Sequence, residues 1–127
     1  MSVSPTARTS AGLLRGSVEH GVSMFRAVPY AAPPVGARRF AMPAPVAAWT
    51  GERDATRNGP VPPQPPSRLR AAMGDFAAEQ GEDCLTLTIA TPAADKRRRP
   101  DLIWLHGGAF WTGAGSEEHT SELQSRP

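Results

Sequence analysis

Hydrophobic and polar residues alternate in short runs along the chain, and these runs predict β-strands. Residues 12–18 and 22–26 form two runs separated by Glu19-His20-Gly21, and a short connection that contains glycine is typical of a β-hairpin. Residues 85–90 alternate apolar and polar side chains, as a half-buried strand does. Residues 102–105 are apolar throughout, which is the pattern of a strand covered on both faces. The pattern therefore predicts a protein built on a β-sheet.

Between these runs the chain is rich in proline. Residues 28–36 and 58–66 hold too many prolines for a helix or a central strand, so we expect ordered loops or unstructured segments there. On composition alone the second segment could also be a polyproline ligand for an SH3-type partner. Residues 67–80 contain a plausible short helix, and residues 1–11 are polar and are expected to be a disordered leader. With 14 prolines and 12 glycines among 127 residues, a helical bundle is disfavoured.

Composition and charge narrow the class further. Hydrophobic residues make up 39% and charged residues 20% of the chain, as in a soluble globular protein. The formal charge of +2 includes the run Lys96-Arg97-Arg98-Arg99, which could contact nucleic acid or could be a solvated loop. No aromatic residues interleave with these charges to stack on bases, so we expect a solvated loop and no nucleic-acid partner.

The compartment is predicted from three features. The N-terminal segment lacks the apolar stretch of a secretory signal. No run approaches the roughly 18 apolar residues that span a bilayer, so we expect no membrane association. Cys84 is the only cysteine and cannot form an internal disulfide, which fits a reducing compartment. We therefore expect a cytoplasmic protein in which Cys84 is a small buried apolar residue.

The most informative segment is the apolar run 102–105 followed directly by His106-Gly107-Gly108-Ala109-Phe110. This segment completes an ordered series of short motifs. The series is Phe25-Arg26-x-Val28-Pro29-Tyr30-Ala31-x-Pro33-Pro34-Val35-Gly36, Arg39-Phe40, Pro43-x-Pro45, Trp49, Asp54-Ala55-Thr56, Gly59-Pro60, Pro63-Gln64, Glu82-Asp83-Cys84-Leu85, Trp104 to Phe110, and Gly113-Ala114-Gly115-Ser116. Through this series the chain resembles the type-B carboxylesterases, the family that includes the cholinesterases. The resemblance implies the α/β class and the α/β-hydrolase fold. Residues 12–115 are expected to be its N-terminal part only, with the β-hairpin and the first strands of the central sheet, up to the oxyanion-hole loop.

The resemblance also assigns roles at this loop. Ester hydrolysis passes through a tetrahedral intermediate that carries negative charge on the former carbonyl oxygen, and backbone N–H groups stabilise that charge. By resemblance Gly108 and Ala109 supply these N–H groups, and Gly107 shapes the loop. Phe110 and Trp111 are expected to line the acyl-binding region. His106 looks like a structural residue of the loop and not like the general base.

Other positions match or depart from the family. Arg39 and Glu82 fall where the family has an interacting pair, which we expect to be structural and buried. Pro62 stands where many members have a cysteine that is bonded to the position of Cys84, so the proline-rich loop is expected to be held by packing. A G-x-S-x-G motif does not occur in the sequence. The nucleophile, acid and base are therefore expected outside this chain, which by itself should be inactive.

Residues 116–127 do not continue the pattern. The composition shifts to Glu, Thr, Ser and Gln, and no strand or helix period crosses the junction. Read as codons, Ser116 to Ser125 matches an in-frame translation of a widely used sequencing-library adapter. We therefore expect residues 116–127 to be a non-native tail, with Ser116 assignable to either side. Ser116, Glu117 and His119 are too close in sequence to form a catalytic triad.

The function expected from these observations is that of a serine-type carboxylic ester hydrolase acting on a small-molecule ester. No metal and no cofactor are implied, and the sequence specifies neither the acyl or alcohol group nor the oligomeric state. Two alternatives stay open at this point. One is a cholinesterase-like binding protein that has lost its triad, since fold alone does not decide function. The other is a small basic nucleic-acid binder, which rests only on residues 96–99.

Overall fold

A computed structural model describes residues 4–66, 79–108 and 111–115. The elements are β1 (Thr6–Arg8), β2 (Leu13–Arg15), β3 (Ser17–Glu19), β4 (Val22–Pro29), a 3₁₀ helix (Gly36–Arg38), β5 (Glu52–Asp54) and β6 (Thr86–Thr91). They form two three-stranded sheets with the strand orders β1-β2-β5 and β3-β4-β6. The helix predicted within residues 67–80 lies almost entirely outside the described residues.

The predicted hairpin is present as β3 and β4. These strands are antiparallel, with Ser17 opposite Met24 and Glu19 opposite Val22. His20 and Gly21 connect them, and both have positive φ, as the two-residue turns that suit hairpin twist require. The Arg26 guanidinium donates two hydrogen bonds of 2.6 and 2.7 Å to the Glu19 carboxylate across the strands, and these bonds lower the pKa of Glu19. The pair therefore reinforces the register that the turn sets.

The run 12–18, which the sequence predicts as one strand, is divided between the two sheets. Leu13–Arg15 pairs in the first sheet and Ser17–Glu19 in the second, with buried Gly16 between them. A methyl group on Gly16 would overlap the carbonyl oxygen of Met24 and lie 2.8 Å from Cδ1 of Phe25. The chain passes from one sheet to the other at Gly16, where only a residue without a side chain fits. The alternating pattern of residues 12–18 does not indicate that division.

Replacing Gly16 by alanine is therefore expected to destabilise this region. The Met24 carbonyl opposes it on a paired strand and cannot withdraw without breaking the register, so we expect a cost of about 1–3 kcal/mol, typical of overpacking. The measurement is the free energy of local opening from native-state hydrogen exchange of β3 and β4 in the complete protein. Gly115→Ala is the matched control, because a methyl group there meets no atom within 4 Å. Equal exchange in both variants would contradict the claim that the Met24 carbonyl excludes a side chain at position 16.

The expectation of a disordered leader over residues 1–11 is wrong for the part that the structure describes. Thr6–Arg8 forms β1, antiparallel to β2. The turn between the two strands is closed by Thr9, whose N–H and hydroxyl both donate to the carbonyl of Gly12, at 2.8 and 3.0 Å. Backbone groups make the bonds between β1 and β2, so polar side chains do not prevent their formation. Ala7 packs against the core and fixes the strand there.

The core lies at the junction of the two sheets. It contains Leu14, Phe25, Val28 and Ala55, all buried, with the Trp49 side chain packed against them. The Trp49 indole N–H donates to the carbonyl of Leu13 at 2.9 Å. The long segment between β4 and β5 is therefore tied back to β2, beside which β5 runs parallel.

The alternating run 85–90 forms a strand, as predicted, but the expectation that its apolar face is buried is wrong for the described structure. β6 spans Thr86–Thr91 and is antiparallel to β4, with a β-bulge between Phe25 and Val28. Ala27, within the bulge, has φ of +51°, which is uncommon for a residue with a side chain. Leu87 and Ile89 are exposed on one face of β6.

The prediction of a strand over residues 102–105 is wrong for the described structure. Leu102, Ile103, Trp104 and Leu105 have no strand geometry and their side chains are exposed. A strand exists only where a neighbouring backbone pairs with it, and none of the described segments pairs with this run. Apolar character alone therefore did not determine the conformation.

The basic run 96–99 lies in an exposed loop, where it contacts the carboxylate of the neighbouring Asp95. Arg99 donates two hydrogen bonds of 2.6 and 2.8 Å to Asp95 and, with the Arg97 N–H, holds the pKa of Asp95 at about 2. Arg97 Nε also lies 3.9 Å from Asp95 Oδ2, so two cations of the run are paired within the loop, which fits a solvated loop. Within the described ranges, no helix has the length and hydropathy needed to cross a bilayer.

Candidate active site

The glycine loop after residue 105 forms a tight turn whose geometry requires glycine. The Gly108 carbonyl accepts hydrogen bonds from the N–H groups of Trp111 and Thr112 at 3.0 and 3.1 Å. Gly108 has φ of +131°, and a methyl group on it would overlap the Thr112 carbonyl oxygen. Both the conformation and the close approach exclude a side chain at this position.

The turn borders a cleft of about 320 Å³. Residues 62–64 of the proline-rich segment line one side, and residues 106–108 and 111–113 line the other. None of these residues is acidic, so no carboxylate among them would repel an anionic intermediate. Across the described part of the chain, the N–H groups of Gly107 and Gly108 meet no hydrogen-bond acceptor. The cleft therefore borders backbone donors that a substrate oxygen could use.

The structure describes only some of the other residues predicted at the loop. Ala109 and Phe110 lie outside the described residues. Trp111 lines the cleft with its side chain largely exposed. His106 Nδ1 lies 2.8 Å from the Gly107 carbonyl oxygen, and since that oxygen can only accept, the contact fits the tautomer protonated on Nδ1. His106 is thus engaged with the loop backbone, and the roles of all these residues stay predictions.

Arg39 and Glu82 are in contact, 43 residues apart in sequence, through Arg39 Nη1 and Glu82 Oε1. The pair joins the end of the 3₁₀ helix to the segment before β6. The resemblance led us to expect a buried pair, whereas the two side chains are 57% and 49% exposed. The Arg39 guanidinium also lies 5.6 Å from the centre of the Phe40 ring. In this structure the pair positions a loop at the surface, where ion pairs contribute little stability.

The proline-rich loop is held mainly by hydrogen bonds, whereas we expected packing. Val61 is buried and pairs with the segment 79–81, donating to the Glu79 carbonyl and accepting from the Gly81 N–H, both at 2.9 Å. Gln64 and Gln80 add further bonds between side chain and backbone. Cys84 is a free thiol, half-buried, and its burial raises its pKa. The connection between this loop and the following segment is therefore non-covalent.

Neither Gln64 nor Gln80 stands out in the sequence as a functional residue. The only signal was the dipeptide Pro63-Gln64, which belongs to the residues of the resemblance. The partners of Gln64 lie 16 and 49 residues away in sequence, so no local pattern predicts its contacts. The described residues also bring together no group of three or more His, Cys, Asp or Glu side chains that could hold a metal ion.

Proteins of known family resemble this chain along most of its length. The chain matches the model of the carboxylesterase family over residues 3–126. Phenmedipham hydrolase of Pseudarthrobacter oxydans is 47% identical over an alignment of 120 residues that covers 91% of this chain and 24% of that protein. Para-nitrobenzyl esterase of Bacillus subtilis is 40% identical over 109 residues, and the alignment covers 86% of this chain and 22% of that protein. A solved structure of a PNB esterase superposes on this chain with a TM-score of 0.80 at 41% sequence identity. The superposition covers 91% of this chain and 24% of that esterase.

The chain spans about a quarter of the length of the curated relatives that it matches. PNB esterases are α/β-hydrolases, so the described strands belong to a part of that fold. The family match also reaches into residues 116–127, which lie outside the described residues, so a foreign origin of that segment stays a prediction. With the match covering nearly all of its residues, this chain belongs to the carboxylesterase family.

Proposed function

We propose that the complete protein is a serine-type carboxylic ester hydrolase acting on small-molecule esters, and that this chain contributes the oxyanion-hole loop. The observation that carries the proposal is the turn at Gly108, where only glycine fits. It borders a cleft and belongs to a chain whose relatives are esterases. A residue that must lack a side chain lets the backbone come close to a bound ligand.

The chemistry follows from the charge that develops during ester hydrolysis. Attack by a serine on the ester carbonyl forms a tetrahedral intermediate with a negatively charged oxygen. The N–H groups of Gly108 and Ala109 would donate to that oxygen, and preorganised backbone donors of this kind cost no reorganisation during the reaction. Gly107 shapes the turn, while Phe110 and Trp111 would contact the acyl group. A histidine from elsewhere in the complete protein would transfer the proton, and an acidic residue would orient that histidine.

The experiment is hydrolysis of para-nitrophenyl butyrate by the complete protein, expressed from the locus as amplified from genomic DNA. We expect turnover above the buffer rate, together with covalent labelling of one serine by a fluorophosphonate probe. If labelling of that serine abolishes turnover, the serine-type mechanism is supported. A well-folded complete protein that neither turns over nor is labelled would instead favour the non-catalytic binding protein.

A further inference from the structure

The Gln64 side chain connects the proline-rich segment to the far end of the glycine loop. The Gly113 N–H donates to Gln64 Oε1 at 2.7 Å, and Gln64 Nε2 donates to the Gly113 carbonyl at 3.2 Å. Gln64 Nε2 also lies 3.2 Å from the Pro62 carbonyl. One carboxamide thus satisfies both the donor and the acceptor of Gly113, as a neighbouring strand would. This pairing fixes both the position and the orientation of the Gly113 backbone.

Gln64 is itself held in the same way by a second glutamine. The Gln64 N–H donates to Gln80 Oε1 at 3.1 Å, and Gln80 Nε2 donates to the Gln64 carbonyl at 3.3 Å. Gln80 is anchored in turn by the β-bridge to buried Val61. Two carboxamide–backbone pairs in series therefore run from the segment 79–81 through Gln64 to Gly113.

Gly113 is in direct contact with the residues before the turn. It has φ of +117°, and a methyl group on it would press against the Gly107 carbonyl oxygen and lie 2.9 Å from His106 Nδ1. The residue before it, Thr112, donates to the Gly108 carbonyl. A shift of Gly113 would therefore displace Gly107 or open the turn at Gly108, because no free space separates them.

We propose that Gln64 is a positioning residue for the oxyanion loop, which it holds at Gly113 from across the cleft. This inference rests on the proposed esterase function, in which the N–H groups of the loop stabilise the transition state. Gln64 acts through Gly113 and touches no reacting atom. Its removal should lower kcat more than it changes KM, because the loop donors act on charge that is present only in the transition state.

The test compares Gln64→Met and Gln64→Ala with the wild type in the complete protein. Methionine keeps the length and the apolar packing of glutamine but forms neither bond to Gly113. We expect both variants to lower kcat for para-nitrophenyl butyrate by about 10–100-fold, with KM changed less than about threefold, as for a small misplacement of a catalytic group. If Gln64 only fills space, Gln64→Met retains the wild-type kcat, and the proposal is overturned.

Hydrogen exchange of the peptide 106–115 provides a readout that does not depend on activity. Loss of the acceptor of the Gly113 N–H should accelerate exchange there about tenfold in both Gln64 variants. Asp95→Asn, which alters the loop 95–99, is the control and should change neither exchange in this peptide nor kcat. Unchanged exchange in Gln64→Met overturns the proposal, and so does accelerated exchange with an unchanged kcat.

Two further outcomes keep the inference separate from the proposed function. A wild-type protein without esterase turnover removes the esterase proposal, while exchange alone still shows whether Gln64 holds the loop. If neither Gln64 variant folds, Gln80→Met tests the same series with the Gln64 side chain intact. It should accelerate exchange in both residues 61–64 and residues 106–115 and lower kcat in the same direction. If exchange accelerates only in residues 61–64, the pair between Gln80 and Gln64 does not help to hold the loop at Gly113.

Discussion

Replacing Gly108 by alanine is expected to lower kcat for para-nitrophenyl butyrate about 100–1,000-fold in the complete protein. The added methyl group would overlap the Thr112 carbonyl oxygen, so the turn must open and residue 108 must leave its φ of +131°. Either movement displaces the N–H group that is proposed to donate to the oxyanion. Loss of one such donor costs about that factor in other hydrolases. Steady-state kinetics of purified protein, with circular dichroism to confirm folding, give the answer.

The matched control for this variant is Gly51→Ala. Gly51 also has a positive φ, +75°, but a methyl group on it meets no atom within 4 Å. The control therefore introduces backbone strain from a positive φ, about 1–2 kcal/mol, without the collision and away from the cleft. We expect an unchanged kcat for Gly51→Ala. A folded Gly108→Ala protein with a kcat within threefold of the wild type would mean that the oxyanion donor has been assigned to the wrong peptide.

The resemblance and the local pattern differ in how much of the site they predict. The glycine pair at 107–108 marks the turn because a backbone requirement for glycine is visible in sequence. The partners that hold the turn are not visible, since Gln64 reaches Gly113 over 49 residues and through side-chain bonds that any surface glutamine could make. Arg39 and Glu82 show the intermediate case, in which the resemblance indicates a pair but not its exposure.

The same distinction applies to the fold. The hairpin follows from alternation together with a turn that contains glycine, so β3, β4 and β6 are predictable from local patterns. β1 is not, because its side chains are mostly exposed and only its backbone pairs with β2. Residues 102–105 show the opposite error, in which strong apolar character predicts a strand that has no described partner. Pairing between distant segments, which a local pattern does not encode, explains both differences.

The second large effect is expected on stability, from replacing Phe25 by alanine. Phe25 is 2% exposed and packs with Leu14, Val28 and Ala55 at the junction of the two sheets. Its removal leaves a cavity between strands that belong to different sheets, and Gly16, beside the ring, has no side chain to fill it. The cost should be about 3–5 kcal/mol, as for other buried phenylalanines.

Native-state hydrogen exchange of the complete protein measures this cost locally. The informative amides are those of Arg26, which bonds to the Ala55 carbonyl at 2.7 Å, and of Ala55, which bonds to the Arg15 carbonyl at 2.8 Å. The first bond joins the two sheets, and the second continues the pairing of β2 with β5 within the first sheet. Both lie beside the core cluster, so their opening free energies should fall with the core. Val18→Ala, on the neighbouring strand β3 with its side chain 46% exposed, is the control and should cost less than about 1 kcal/mol. Equal losses in the two variants would show that the sheets are joined by their backbone bonds alone, and that the cluster around Phe25 does not hold them together.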